Sequence, residues 1–145
     1  MFQSFKINNT NIFFLFLQLI IFIFSLCVFS PLGSPFINSD QAIHILMANS
    51  ISIPDDLYYW NQDRLGSLLP ILANLLVRIF HIESIYAITI ILYGMLLGTW
   101  YFLSVFLENK FSKLLLFIVV FIPFPFFAEQ VYVGHPYSAQ FFFLH

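Results

Sequence analysis

Asp40 and His44 stand four residues apart, a spacing that sets both side chains on one face if the segment is helical. A carboxylate so placed can orient the imidazole or, with it, exchange protons with a substrate hydroxyl. The plainer alternative is a capping Asp40 and a solvated His44. A second polar group follows at Tyr58, Tyr59, Trp60, Asn61, Gln62, Asp63 and Arg64. The faces of Tyr59 and Trp60 can stack on a sugar ring, while Gln62, Asp63 and Arg64 can bind hydroxyls and phosphate, Arg64 through its planar fork. The same run of rings also suits an aromatic belt at head-group depth, and composition does not choose between the two. A third group, Glu129, Gln130, Tyr132, Gly134, His135, Pro136 and Tyr137, lies near the carboxyl end. Asp55 and Asp56 are adjacent, but no His or Cys accompanies them at ligand spacing, so neither a metal nor another cofactor is expected.

These groups are islands in an apolar chain. Hydrophobic residues make up 61% of the 145 and charged residues 8%, with 21 Phe. Soluble domains carry roughly 25% charge, so a soluble core could not hide this content. A net charge of -2 without any basic cluster excludes nucleic acid as a partner. Ser84 to Leu107 holds no charged residue. As a helix it would be roughly 36 Å long, enough to cross a hydrocarbon core of about 30 Å. Ile12 to Val28 and Leu114 to Ala128 have the same character.

The pattern predicts an all-α integral membrane protein forming a single membrane domain over 1–145. Spans are expected at 12–32, 84–107 and 114–133, with one or two interfacial helices in an outer loop over 39–80. Asn38, Ser39 and Asp40 before Ala42, Ile43, Ile45 and Leu46 form a helix-start signal, and that helix should run to about residue 49. Pro123 and Pro125 should kink or end the last helix. Lys6 ahead of the first apolar run resembles a signal peptide, but bulky Phe29 and Leu32 and the Pro31 after Ser30 favour an uncleaved anchor. Cys27, the single cysteine, allows no internal disulfide.

Lys6, Lys110 and Lys113 flank apolar runs on one side, while Asp40, Asp55, Asp56 and Asp63 lie between the first and second runs. The positive-inside rule then places the amino terminus and residues 108–113 in the cytoplasm, and the acidic loop and the carboxyl end outside. A multi-pass protein of the bacterial inner membrane fits this arrangement. Arg64 to Phe80 carries Arg64, Ser67, Asn74 and Arg78 within an arc of about 80°. A narrow polar stripe with two arginines reads as a helix lying in the interface, with a tilted span as the alternative.

Ser39, Asp40, Gln41 and Ala42, through Tyr58, Tyr59, Trp60, Asn61, Gln62, Asp63, Arg64, Leu65, Gly66 and Ser67, carry a further likeness. With a first span before them and two spans joined by a basic turn after them, the chain resembles the amino-terminal third of the C-type membrane glycosyltransferases. That family includes the protein mannosyltransferases and the aminoarabinose transferase of lipid A. The resemblance implies that Asp40 is the base that deprotonates an acceptor hydroxyl. It implies a sugar on a polyprenyl phosphate as donor, with Arg64 or Arg78 stabilising the leaving phosphate. His44, Tyr59, Trp60, Gln62, Asp63, Arg64 and His135 would then contact substrate. The family usually places a second acidic residue after the third span; here Gly134, His135 and Pro136 stand there, with His135 or Glu129 as stand-ins.

Such enzymes build much of the donor site in further spans and a soluble part, and Phe141 to Leu144 read as the start of another helix. The expectation is a truncated or remnant glycosyltransferase-like protein, inactive alone. The opposing reading is a small non-catalytic membrane protein that packs against a membrane partner through its Phe-rich faces. A transporter fragment comes third, because no span interior holds the charges that mark ion paths. Reporter fusions at Asn61 and Tyr137 should both emerge on the non-cytoplasmic side; opposite compartments would remove any shared pocket.

Overall fold

The computed structural model describes residues 9–33, 39–52 and 67–122. Among them the protein is all-helical, without strands: α1 (Asn9–Val28), α2 (Ser39–Ser50), α3 (Leu68–Phe80), α4 (Ser84–Ser104) and α5 (Lys110–Phe121). Two of these, α1 and α4, are long and apolar enough to cross a membrane. The helix expected from the Asn38–Ser39–Asp40 signal is present as α2. The first apolar helix begins earlier than the expected span and ends at Val28, where the chain turns on itself. Ser30 donates to the Leu26 carbonyl and accepts from the Leu32 amide at 3.1 Å. A Cβ on Gly33 would lie 1.7 Å from the Cys27 carbonyl oxygen, so this turn needs glycine.

Local chemistry sets the other boundaries. Pro70 sits in the first turn of α3, where its missing N–H has no partner to lose. At the far end of α3, His81 adopts φ 53 and ψ 33 and its amide bonds the Val77 carbonyl, a left-handed cap made without glycine. Glu83 is extended and accepts at its carbonyl from the Tyr86 and Ala87 amides, which starts α4 after only three linking residues. Past Ser104 the chain tightens into three-residue bonds, Val105 to Phe102, Phe106 to Leu103 and Leu107 to Ser104. Asn109 caps α5 by accepting from the Phe111 amide at 3.0 Å. That helix stops at Phe121, and Ile122 is extended with φ -109 and ψ 102. The residue before a proline avoids helical angles, so Pro123 ends the helix. The rest of the expected third span, to residue 133, lies outside the described residues.

Packing joins the helices in two groups that share α4. α2 and α3 pack on each other and both pack on α4, while α1 and α5 pack together and α5 on α4. Ala48, Ala73 and Ala87, one from each helix of the first group, are all wholly buried in one cluster with Leu69, Ile88 and Leu92. Small side chains at such positions let helix backbones approach closely. The second group closes through aromatic rings. Phe121 meets Phe117 at 4.4 Å, Phe22 at 5.4 Å and Tyr93 at 6.0 Å between ring centroids. Trp100 stands edge-on to Phe117 at 5.2 Å and donates its indole N–H to the Lys113 carbonyl. Beside this seam Ser25 and Tyr93 share a buried hydroxyl bond of 3.0 Å that ties α1 to α4.

The bonds also give the ends of the bundle. Lys110 donates to the Asn11 side chain, so the start of α1 and the α4–α5 turn lie together. Phe22 then meets Phe121 further along both helices, so α1 and α5 run in the same sense and α4 runs against them. The start of α4, at Glu83 and Ser84, is therefore at the opposite end from Lys110. Most of the surface of α1 is apolar and open: Phe13 is 58% and Leu15 64% exposed.

Phe121 is wholly buried among three rings. Phe121→Ala should cost about 3–5 kcal/mol by leaving a cavity, whereas Tyr93→Phe, which removes one shared hydroxyl bond, should cost about 1 kcal/mol. Unfolding of the detergent-solubilised variants would rank them; a Phe121→Ala protein as stable as the parent would contradict the seam.

Candidate functional site

The candidate site is built on α2, whose first turn carries Asp40 and whose second carries His44. His44 is 0% exposed. The alternative of a solvated His44 therefore does not hold. Met47 and Ala48 are equally buried, so the face of α2 bearing His44, Met47, Ala48 and Ile51 points into the protein, while Leu46, Asn49 and Ser50 remain open. Ile43 and Ile71 pack against Met47 and Ile51, which adds an apolar contact between α2 and α3.

What holds α2 in place is a pair of side chains on α3. A helix leaves its last four carbonyls without internal partners. In α2 the Met47 carbonyl is taken by the Ile51 amide at 2.8 Å, which closes one further turn. The Ala48 carbonyl accepts from Asn74 Nδ2 at 2.8 Å, inside the protein. Arg78 Nη2 donates at 3.1 Å to the carbonyl of Ile51, just past the helix end. A cation there also faces the negative end of the helix dipole, a favourable placement. Asn74 and Arg78 are four residues apart on α3, and their targets are three apart on α2. The two helices therefore advance in the same direction, and both end near the His81–Glu83 corner that begins α4.

This arrangement changes the meaning of the polar stripe on α3. Read alone, it suggests head-group contacts. Ser67 and Asn74 are instead 4% and 5% exposed, and Asn74 and Arg78 bond the end of α2. Arg78 keeps part of its side chain in the open while bonding Ile51. The roles of Asn74 and Ile51 were not visible from sequence. The available signal was the recurrence of donors at positions 74 and 78, and it could not name the carbonyls they serve.

Asp40 lies in α2, one helical turn ahead of His44. Tyr59, Trp60, Gln62, Asp63, Arg64 and His135 lie outside the described residues, as do Asp55, Asp56 and Glu129. Within what is described, the site is thus a docked helix carrying a carboxylate and a buried imidazole, with an arginine at its far end. Among the described residues no group of three or more His, Cys, Asp or Glu is placed to hold a metal ion. No family model, curated protein or solved structure matches this chain, so its chemistry rests on its own residues.

Asn74→Leu keeps the branched shape of the side chain but removes the donor to the buried Ala48 carbonyl, which should cost about 1–3 kcal/mol. Hydrogen–deuterium exchange should then accelerate over residues 42–51 while the middle of α4 keeps its protection. Unchanged exchange in α2 would show that the bond does not hold the helix.

Proposed function

We propose that this chain is a multi-pass membrane protein of the C-type glycosyltransferase kind, in which α2 presents Asp40 to an acceptor hydroxyl. The membrane part of this reading is supported by the sorting of charge. Arg78 and Glu83 lie at one end of α4 and Glu108, Lys110 and Lys113 at the other, with none between. A helix of 21 residues separates them, about 31 Å long. The apolar surface of α1 needs a solvent other than water. By the positive-inside rule the Lys110 end, and with it the start of α1, faces the cytoplasm. The α3–α4 corner and the end of α2 then lie toward the outer face of a bacterial inner membrane.

The observation that carries the catalytic reading is the anchoring of α2. A general base has to be held in a fixed position relative to the group it deprotonates. Directly after the first apolar helix, where the resemblance places the base, stands a helix held by two side-chain bonds and a buried apolar face. The donor would be a sugar on a polyprenyl phosphate, with Arg64 meeting the phosphate and Tyr59, Trp60, Gln62, Asp63 and His135 lining the substrate path; His44, buried on the inner face of α2, and Arg78, bonded to Ile51 about 16 Å along α2 from Asp40, stand apart from it. In the reaction the acceptor oxygen forms the new bond to the anomeric carbon, the phosphate leaves with the bonding electrons, and the acceptor proton passes to Asp40.

A second reading, a non-catalytic protein that packs against a membrane partner, is favoured by α1, which leaves Phe13, Phe16, Leu19, Ile20, Ile23 and Phe24 open along its length. The two readings separate in one assay. Membranes holding the protein in its full genomic context, given a polyprenyl-phosphate sugar, should glycosylate an acceptor hydroxyl. Asp40→Asn should lower that rate by about 10²-fold or more with expression unchanged. Equal transfer by the Asn variant would remove Asp40 from the mechanism, and no transfer by the parent would leave the packing role.

A further inference from the structure

We draw no further inference here: the strongest candidate, the open face of α4 built by Ile90, Gly94, Leu97 and Tyr101, is an unpartnered apolar surface with one glycine at its centre, and nothing in the structure shows what covers it.

Discussion

The carboxyl end of α2 is the point on which the arrangement of this protein depends. A helix whose last carbonyls turn in against another helix must find donors for them or lose about 1–3 kcal/mol for each one left buried and bare. Asn74 and Arg78 supply those donors from α3. Because each donor has one target, the pair also fixes the register between the two helices. Apolar packing alone would tolerate sliding, since Leu and Ile faces are nearly interchangeable along a helix. Two directed bonds, one turn apart, do not. The wholly buried Ala48 and Ala73 follow from this constraint, because the side chain of Asn74 is short and needs the backbones close.

The other half of the molecule is built on a different principle. α1, α4 and α5 meet through Phe22, Tyr93, Trp100, Phe117 and Phe121, whose edge-on and tilted contacts are directional without needing polar partners. A buried polar contact there joins the Ser25 and Tyr93 hydroxyls, one donating to the other at 3.0 Å. α4 belongs to both halves, with Ala87 and Ile88 turned toward the alanine cluster and Tyr93 toward the rings. Any group held on α2 is thereby tied, through α4, to α1 and α5. In the proposed enzyme this would keep the carboxylate-bearing helix fixed while lipid-borne substrate approaches.

Much of the helix content was legible in the sequence, because charge and proline mark boundaries strongly in so apolar a chain. The uncharged run from Ser84, the start signal at Ser39 and the stop ahead of Pro123 all correspond to helix ends. Less visible were the ends set by backbone geometry, such as the left-handed His81 and the glycine-dependent turn at Gly33. Tertiary partners were not legible at all. A stripe of Arg, Asn and Ser on α3 looks the same whether it meets head groups or the carbonyls of another helix, since both present oxygen acceptors. His44 is a parallel case: beside Asp40 it reads as a surface imidazole, and only the apolar neighbours Met47, Ala48 and Ile51, a turn further on, hint that its face is turned inward. The chemistry assigned to residues 58–64 and to His135 rests on residue type and on the family resemblance.

The central claim, that α2 is docked on α3 in one register, can be measured directly by cross-linking. In a Cys27→Ala background, Met47→Cys and Ile71→Cys should join through a short bis-maleimide reagent in native membranes, because both side chains belong to the same buried contact. A control pairing Met47→Cys with Leu75→Cys, on the open side of α3, should join far less. Efficient joining of the first pair alone is the predicted result. Equal joining of both pairs, or none of the first, would contradict the docked helix and the fixed carboxylate that depends on it.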